Sequence, residues 1–122
     1  PPSILRQGKA KGKYNFFRAS WIADYPNPEN YFDLFFSKNK TPNGPNYTYF
    51  MNKKYDSVYN NLKDKKSNTE KSFEILENII YDFSPIIPLY YDMSIRLIDN
   101  DILGMSNNAI NMLNLEGVEK LW

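Results

Sequence analysis

Residues 21–30, Trp-Ile-Ala-Asp-Tyr-Pro-Asn-Pro-Glu-Asn, set one isolated acid among aromatic and proline neighbours. Trp21 and Tyr25 flank Asp24, while Pro26 and Pro28 fix their own φ and push the preceding residues toward extended geometry. A carboxylate between aromatic faces on a stiff loop suits the capture of a cationic group, by ion pairing and by cation–π contact. The same residues also make an ordinary loop with an Asx-turn acid, and on composition alone that plainer reading is favoured. A third chemistry would pair Asp24 with Glu29 or Asp33, since glycosidases run on two acids at a controlled separation. Acids on a loop and a short helix are more often caps and solvated groups. The expectation is therefore a chain without catalytic residues.

The bulk numbers narrow the choice. The 122 residues make at most one domain, with 42% hydrophobic and 16% aromatic residues. Tyr and Phe cover ligand surfaces as readily as they fill cores. Fifteen basic and fourteen acidic residues leave a net charge of +1, so no field exists to recruit nucleic acid. Without Cys or His, the chain can hold no disulfide, zinc finger, Cys or His nucleophile, or His base. No cofactor and no metal site are expected. No apolar run approaches the ~18–20 residues that span a bilayer.

Several elements must position the loop. Residues 1–13, with Lys9, Lys11 and Lys13 around Gly8 and Gly12, read as a solvated helix end or loop. Aromatic content and alternation predict a strand over Tyr14–Ala19. Asn27 caps a short helix with Pro28 at its first position and Glu29 in its first turn; Tyr31, Phe32, Leu34, Phe35 and Phe36 make that helix apolar around much of its circumference. Such a helix must be buried or face another lobe. The turn Pro42-Asn43-Gly44-Pro45 then delivers a second aromatic cluster, Tyr47, Tyr49 and Phe50. Asn39-Lys-Thr41 and Asn46-Tyr-Thr48 match the glycosylation sequon, a chance match unless the host is eukaryotic.

Two longer helices follow. Asn52 caps the first, whose stripe is Tyr55, Val58, Tyr59 and Leu62. Ser67 and Glu70 form a capping box for the second, with stripe Phe73, Leu76, Ile80 and Phe83, and Pro85 ends it. Ile86–Tyr91 and Ile95–Ile98 read as strands. Asp99 to Gly104 is a turn rather than a calcium loop, because Leu103 and Ile110 stand where ligands are required. The tail, Ile110–Trp122, adds one more strand. The fold class is α+β (mixed), short strands with three helices.

The order of these pieces resembles the C-terminal part of the solute-binding proteins of peptide ABC transporters, the oligopeptide- and dipeptide-binding family. Three features carry the resemblance: Gly12–Trp21 running into Ala23–Asn30, then Pro45–Phe50 with Lys54-Tyr-Asp56, then a helix ending into Ser84–Tyr91. Family members are several times longer, so the resemblance implies a fragment of a two-lobed periplasmic-binding-protein type II fold. Residues 1–92 would belong to the C-terminal ligand-binding lobe. Residues 93–122 would return to the other lobe, passing over near Asp92–Ser94.

The resemblance also implies roles. Asp24 would pair with the ligand's α-amino group, the backbone at Ile22 and Ala23 would bond an extended peptide by strand addition, and Trp21 would line the cleft. Arg18 would contact a short ligand's carboxylate, and Tyr47 and Tyr49 would be wall residues. The implied partners are a short peptide and the ABC permease subunits in the membrane. The implied location is periplasmic or cell-surface, with lipid anchoring through an N-terminus outside this chain. Alternatives are a sugar, with Trp21, Tyr25, Tyr47 and Tyr49 stacking on its faces, or a metal complex. Apolar faces without partners lead to an expectation that the isolated fragment self-associates.

Overall fold

The computed structural model describes residues 2–65, 69–93, 95–108 and 111–121. Its elements are α1 (Pro2–Ala10), α2 (Glu29–Phe32), α3 (Lys53–Lys63), α4 (Thr69–Phe83), and the strands β1 (Ile102–Leu103) and β2 (Glu119–Lys120). Two short 3-10 turns, Asp33–Phe35 and Ser37–Asn39, lie between α2 and α3. The fold is mixed α+β, with four α-helices among the described residues rather than the three expected.

The additional helix is α1. Its C-terminus closes by Gly12 N–H donating to Lys9 O (3.0 Å) and Lys13 N–H donating to Gly8 O (2.9 Å), with Gly12 at φ 62°. A left-handed residue is needed there, and glycine takes that conformation without strain. α3 is capped as its sequence dictates, whereas α2 begins at Glu29, one residue after the expected Pro28. Asn52 Oδ1 accepts from Tyr55 N–H at 3.0 Å, and Asn27 Oδ1 accepts from Glu29 N–H at 2.9 Å. The capping-box position Ser67 lies outside the described residues.

α3 and α4 pack together under the apolar turns of 32–36. The core is Phe32, Phe35, Phe36, Phe50, Tyr55, Tyr59, Leu62, Leu76 and Ile79. Edge-to-face pairs join Phe35, Phe50 and Tyr55, and the Tyr55 and Tyr59 rings stack with centroids 6.2 Å apart. On α3 the expected stripe holds, with Val58 partly buried. On α4 the buried line is Ser72, Leu76 and Ile79, rotated from the expected one. Phe83 remains 64% exposed, its ring meeting Phe50 edge-on.

Asn46 organises the connection between these layers. Fully buried, it donates through Nδ2 to Phe36 O (3.2 Å) and Phe50 O (2.9 Å), while its Oδ1 accepts from Thr48 Oγ1 (2.9 Å). Its backbone N–H donates to Asn39 O (2.9 Å) and its carbonyl accepts from Thr41 N–H (3.3 Å). An amide in this position is closed to glycosylation in the folded chain. A second tie, Ser37 N–H donating to Asp56 Oδ1 at 3.0 Å, fixes the 3-10 turn to α3.

Three strand expectations fail. Tyr14–Ala19, Ile86–Tyr91 and Ile95–Ile98 are irregular or extended backbone, because none finds a ladder neighbour among the described residues. β1 pairs antiparallel with β2, Ile102 opposite Lys120 and Leu103 opposite Glu119. The tail thus supplies a strand, though a two-residue one. The stretch before it carries Leu89, Tyr91, Ile95 and Leu97 with their side chains largely exposed.

Two outcomes are expected. Asn46→Ala strands the Phe50 carbonyl and removes one of two bonds to Phe36 O, and should cost about 2 kcal/mol in urea unfolding, with a loss under about 1 kcal/mol contradicting the hub role. Burial, reinforced by nearby carboxylates, raises the phenols of Tyr55 and Tyr59 above their ordinary 10.0. The folded chain then keeps protons that the unfolded chain releases near pH 10, so stability is full below that pH and falls as pH rises through it. A urea midpoint constant up to pH ~12 would contradict this.

Candidate ligand-binding site

The loop 21–30 is held from inside by two consecutive residues of α2. Asn30 is buried at 5% exposure. Its Oδ1 accepts from Trp21 Nε1–H at 2.7 Å and from Asp24 N–H at 3.2 Å, and its Nδ2 donates to Asp24 Oδ2 at 3.4 Å. One amide therefore fixes both an aromatic wall and the orientation of a carboxylate. Asp24 itself is exposed, so its charge remains available.

Glu29 anchors the same turn. Tyr25 Oη donates to Glu29 Oε2 at 2.8 Å, and Tyr59 Oη approaches Glu29 Oε1 and Asp33 Oδ1 at 2.7 Å each. A phenol has one proton, so two acidic side chains share a single donor. Lys63 Nζ lies 3.6 Å from Asp33 Oδ1 and 5.2 Å from the centre of the Tyr59 ring, placing a positive charge beside them. Glu29 and Asp33 thus meet on Tyr59, and both oxygens of Glu29 are engaged within the fold. Asp24 is bound instead to Asn30, and no hydrogen bond joins it to either acid.

The loop's backbone is open where its side chains point outward. Among the described residues, neither Ile22 nor Ala23 engages its backbone N–H or C=O in an intrachain hydrogen bond. Ile22 is 73% exposed and Trp21 half-buried. An extended segment with free donors and acceptors beside an oriented carboxylate can receive another extended chain.

The remaining candidates group differently. The Arg18 guanidinium donates to Tyr90 Oη and lies with Cζ 5.6 Å from that ring's centre, joining the residues before the loop to those after α4. Tyr47 and Tyr49 are half-buried against the N-terminal segment. Lys9 Nζ stands 5.5 Å from the Tyr47 ring, Lys40 Nζ 4.6 Å from the Tyr49 ring, and Tyr49 Oη donates to Ala10 O at 3.3 Å. Contacts therefore unite Trp21 with Asp24, whereas Arg18, Tyr47 and Tyr49 each engage other partners. Asn30 and Tyr59 also belong to this arrangement, and the sequence marks neither strongly. The available signal was a polar side chain at the head of an otherwise apolar helix and a tyrosine inside a core stripe.

Among the described residues no group of His, Cys, Asp or Glu could hold a metal ion, and no helix is long and apolar enough to cross a membrane.

No protein-family model matches the chain. Among curated proteins it is similar to the dipeptide-binding protein DppE of Bacillus subtilis (strain 168), 24% identical over 111 residues. That alignment covers 88% of this chain and 20% of DppE, so the chain spans about a fifth of that relative's length. The likeness is distant.

Tyr59→Phe removes the one donor between Glu29 and Asp33 while keeping the ring. It should destabilise the fold by about 1–3 kcal/mol and increase amide exchange across residues 29–33. Unchanged exchange there would mean that Tyr59 does not anchor α2.

Proposed function

We propose that this chain is part of a solute-binding protein that captures short peptides and delivers them to an ABC importer in the membrane. The observation that carries this reading is the free backbone at Ile22 and Ala23, beside the exposed and oriented carboxylate of Asp24. The distant likeness to a dipeptide-binding protein supports the same chemistry.

In this reading Asp24 accepts the ligand's α-ammonium in a charge-assisted hydrogen bond. Ile22 and Ala23 bond the ligand's backbone, and Trp21 forms a wall against its first side chain. Recognition by terminus and backbone tolerates many side chains. Arg18 reaches the ligand's carboxylate on leaving Tyr90, and Tyr47 and Tyr49 line a more distant part of the cleft. A second lobe outside this chain closes over the ligand by hinge motion. Residues 1–92 form part of one lobe and 93–122 return toward the other. The protein works outside the membrane, at the periplasmic side or cell surface, and its role is binding rather than catalysis.

The test is titration calorimetry on the whole protein with the dipeptide Ala-Ala and its N-acetylated form. Asp24→Asn removes a charged partner worth about 1.5–3 kcal/mol and should weaken Ala-Ala binding about 10- to 150-fold. N-acetyl-Ala-Ala, lacking the ammonium, should bind weakly to both. Undiminished binding of Ala-Ala by the variant would refute the assignment of Asp24.

A further inference from the structure

We infer that Asn30 is the positioning residue of this site, holding Trp21 and Asp24 as one unit through a single buried amide. Its effect on binding rests on the reading of Asp24 as the acceptor of the ligand amine. The geometry asks for an amide and no other common group. Two N–H donors, Trp21 Nε1 at 2.7 Å and Asp24 N at 3.2 Å, converge on one oxygen, while a carboxylate oxygen faces the adjacent nitrogen at 3.4 Å. Turned over, the amide would set NH2 against two donors and its oxygen against a carboxylate. Aspartate at this position would keep the acceptor, lose the donor and place a like charge beside Asp24. Leucine would match its number and branching of heavy atoms and satisfy none of the three.

Asn30 is 5% exposed, so its own amide depends on these partners, while the half-buried Trp21 and exposed Asp24 meet it from the solvent side. The other titratable groups at this end, Tyr25, Glu29, Asp33 and Tyr59, bond among themselves. No hydrogen bond from them reaches Asp24, and Asn30 is its only side-chain partner among the described residues. Because the Trp21 indole and the Asp24 carboxylate share that partner, displacement of one disturbs the other.

Hydrogen exchange of the Trp21 indole N–H and the Asp24 amide, read by NMR on the ligand-free whole protein, tests this without reference to any ligand. Both should be protected in the wild type and lose protection in Asn30→Leu, whereas Asn30→Asp, which keeps the acceptor but sets a like charge beside Asp24, should retain protection at the indole. The amides of Tyr59 and Leu76 report whether the core stays folded. Should Asn30→Leu lose those, the Trp21 indole in Asn30→Asp decides alone: retained indole protection supports the role, and lost indole protection overturns it. Unchanged protection in Asn30→Leu also overturns it.

Affinity for Ala-Ala then links the residue to binding. Asn30→Leu should weaken it about tenfold, and Asp24→Asn with Asn30→Leu should lose less than the product of the two single losses, the remainder being that of the displaced Trp21 wall. Additive losses would mean that Asn30 acts otherwise than through Asp24. A wild type that ignores Ala-Ala would refute the proposed function while the exchange data still decide the positioning.

Discussion

Tyrosines that enter a hydrophobic core carry a hydroxyl that must find an acceptor there. The remainder of this fold depends on where Tyr55 and Tyr59 find theirs. Both are wholly buried on α3. Tyr55 Oη donates to Phe32 O at 2.6 Å, and Tyr59 Oη meets Glu29 and Asp33. All three acceptors belong to α2 or the turn that extends it. The apolar rings of Phe32, Phe35 and Phe36 supply attraction without direction, whereas the two phenols supply direction. Together they fix a helix of only four residues, too short to be stable by itself.

That placement passes outward to the loop. Once α2 is seated, Glu29 points toward Tyr25 and Tyr59, and Asn30, the next residue, points toward Trp21 and Asp24. The charge that faces solvent is therefore supported by a chain of contacts ending in the core. The stiffness given by Pro26 and Pro28 works with this arrangement rather than replacing it. Prolines restrict the backbone, but they do not aim a carboxylate.

The opposite edge is built by the same kind of economy. Asn46 joins Phe36, Phe50, Asn39 and Thr41 through one side chain and its own backbone, so the turn at 42–45 closes on a polar hub inside an aromatic cluster. Tyr49 then stands at φ 57° and reaches Ala10. This is why Tyr47 and Tyr49 contact the N-terminal segment, although in sequence they look like companions of Trp21. Beyond α4 no comparable hub occurs among the described residues, and most of the apolar side chains there stay exposed.

Local chemistry was sufficient for much of the chain. Asn27 and Asn52 announced their helices, the spacing of Tyr55, Tyr59 and Leu62 marked a buried face, and Asp24 stood out because its neighbours restrict it. Capping and helical periodicity act within a few residues, so they can be read from a short window. Strands cannot, because a ladder needs a partner: Tyr14–Ala19 and Ile86–Tyr91 have strand composition and no neighbour to pair with among the described residues. The role of Asn30 was equally hidden. Its oxygen acquires meaning only when residues six and nine positions earlier fold back onto it. Tertiary structure alone also decided that Glu29 and Asp33 share the Tyr59 proton, since that contact spans up to 30 residues of chain. The sequence by itself set Asp24, Glu29 and Asp33 close together; the packing of α2 on α3 decided that Glu29 and Asp33 turn toward Tyr59 while Asp24 stays at the surface.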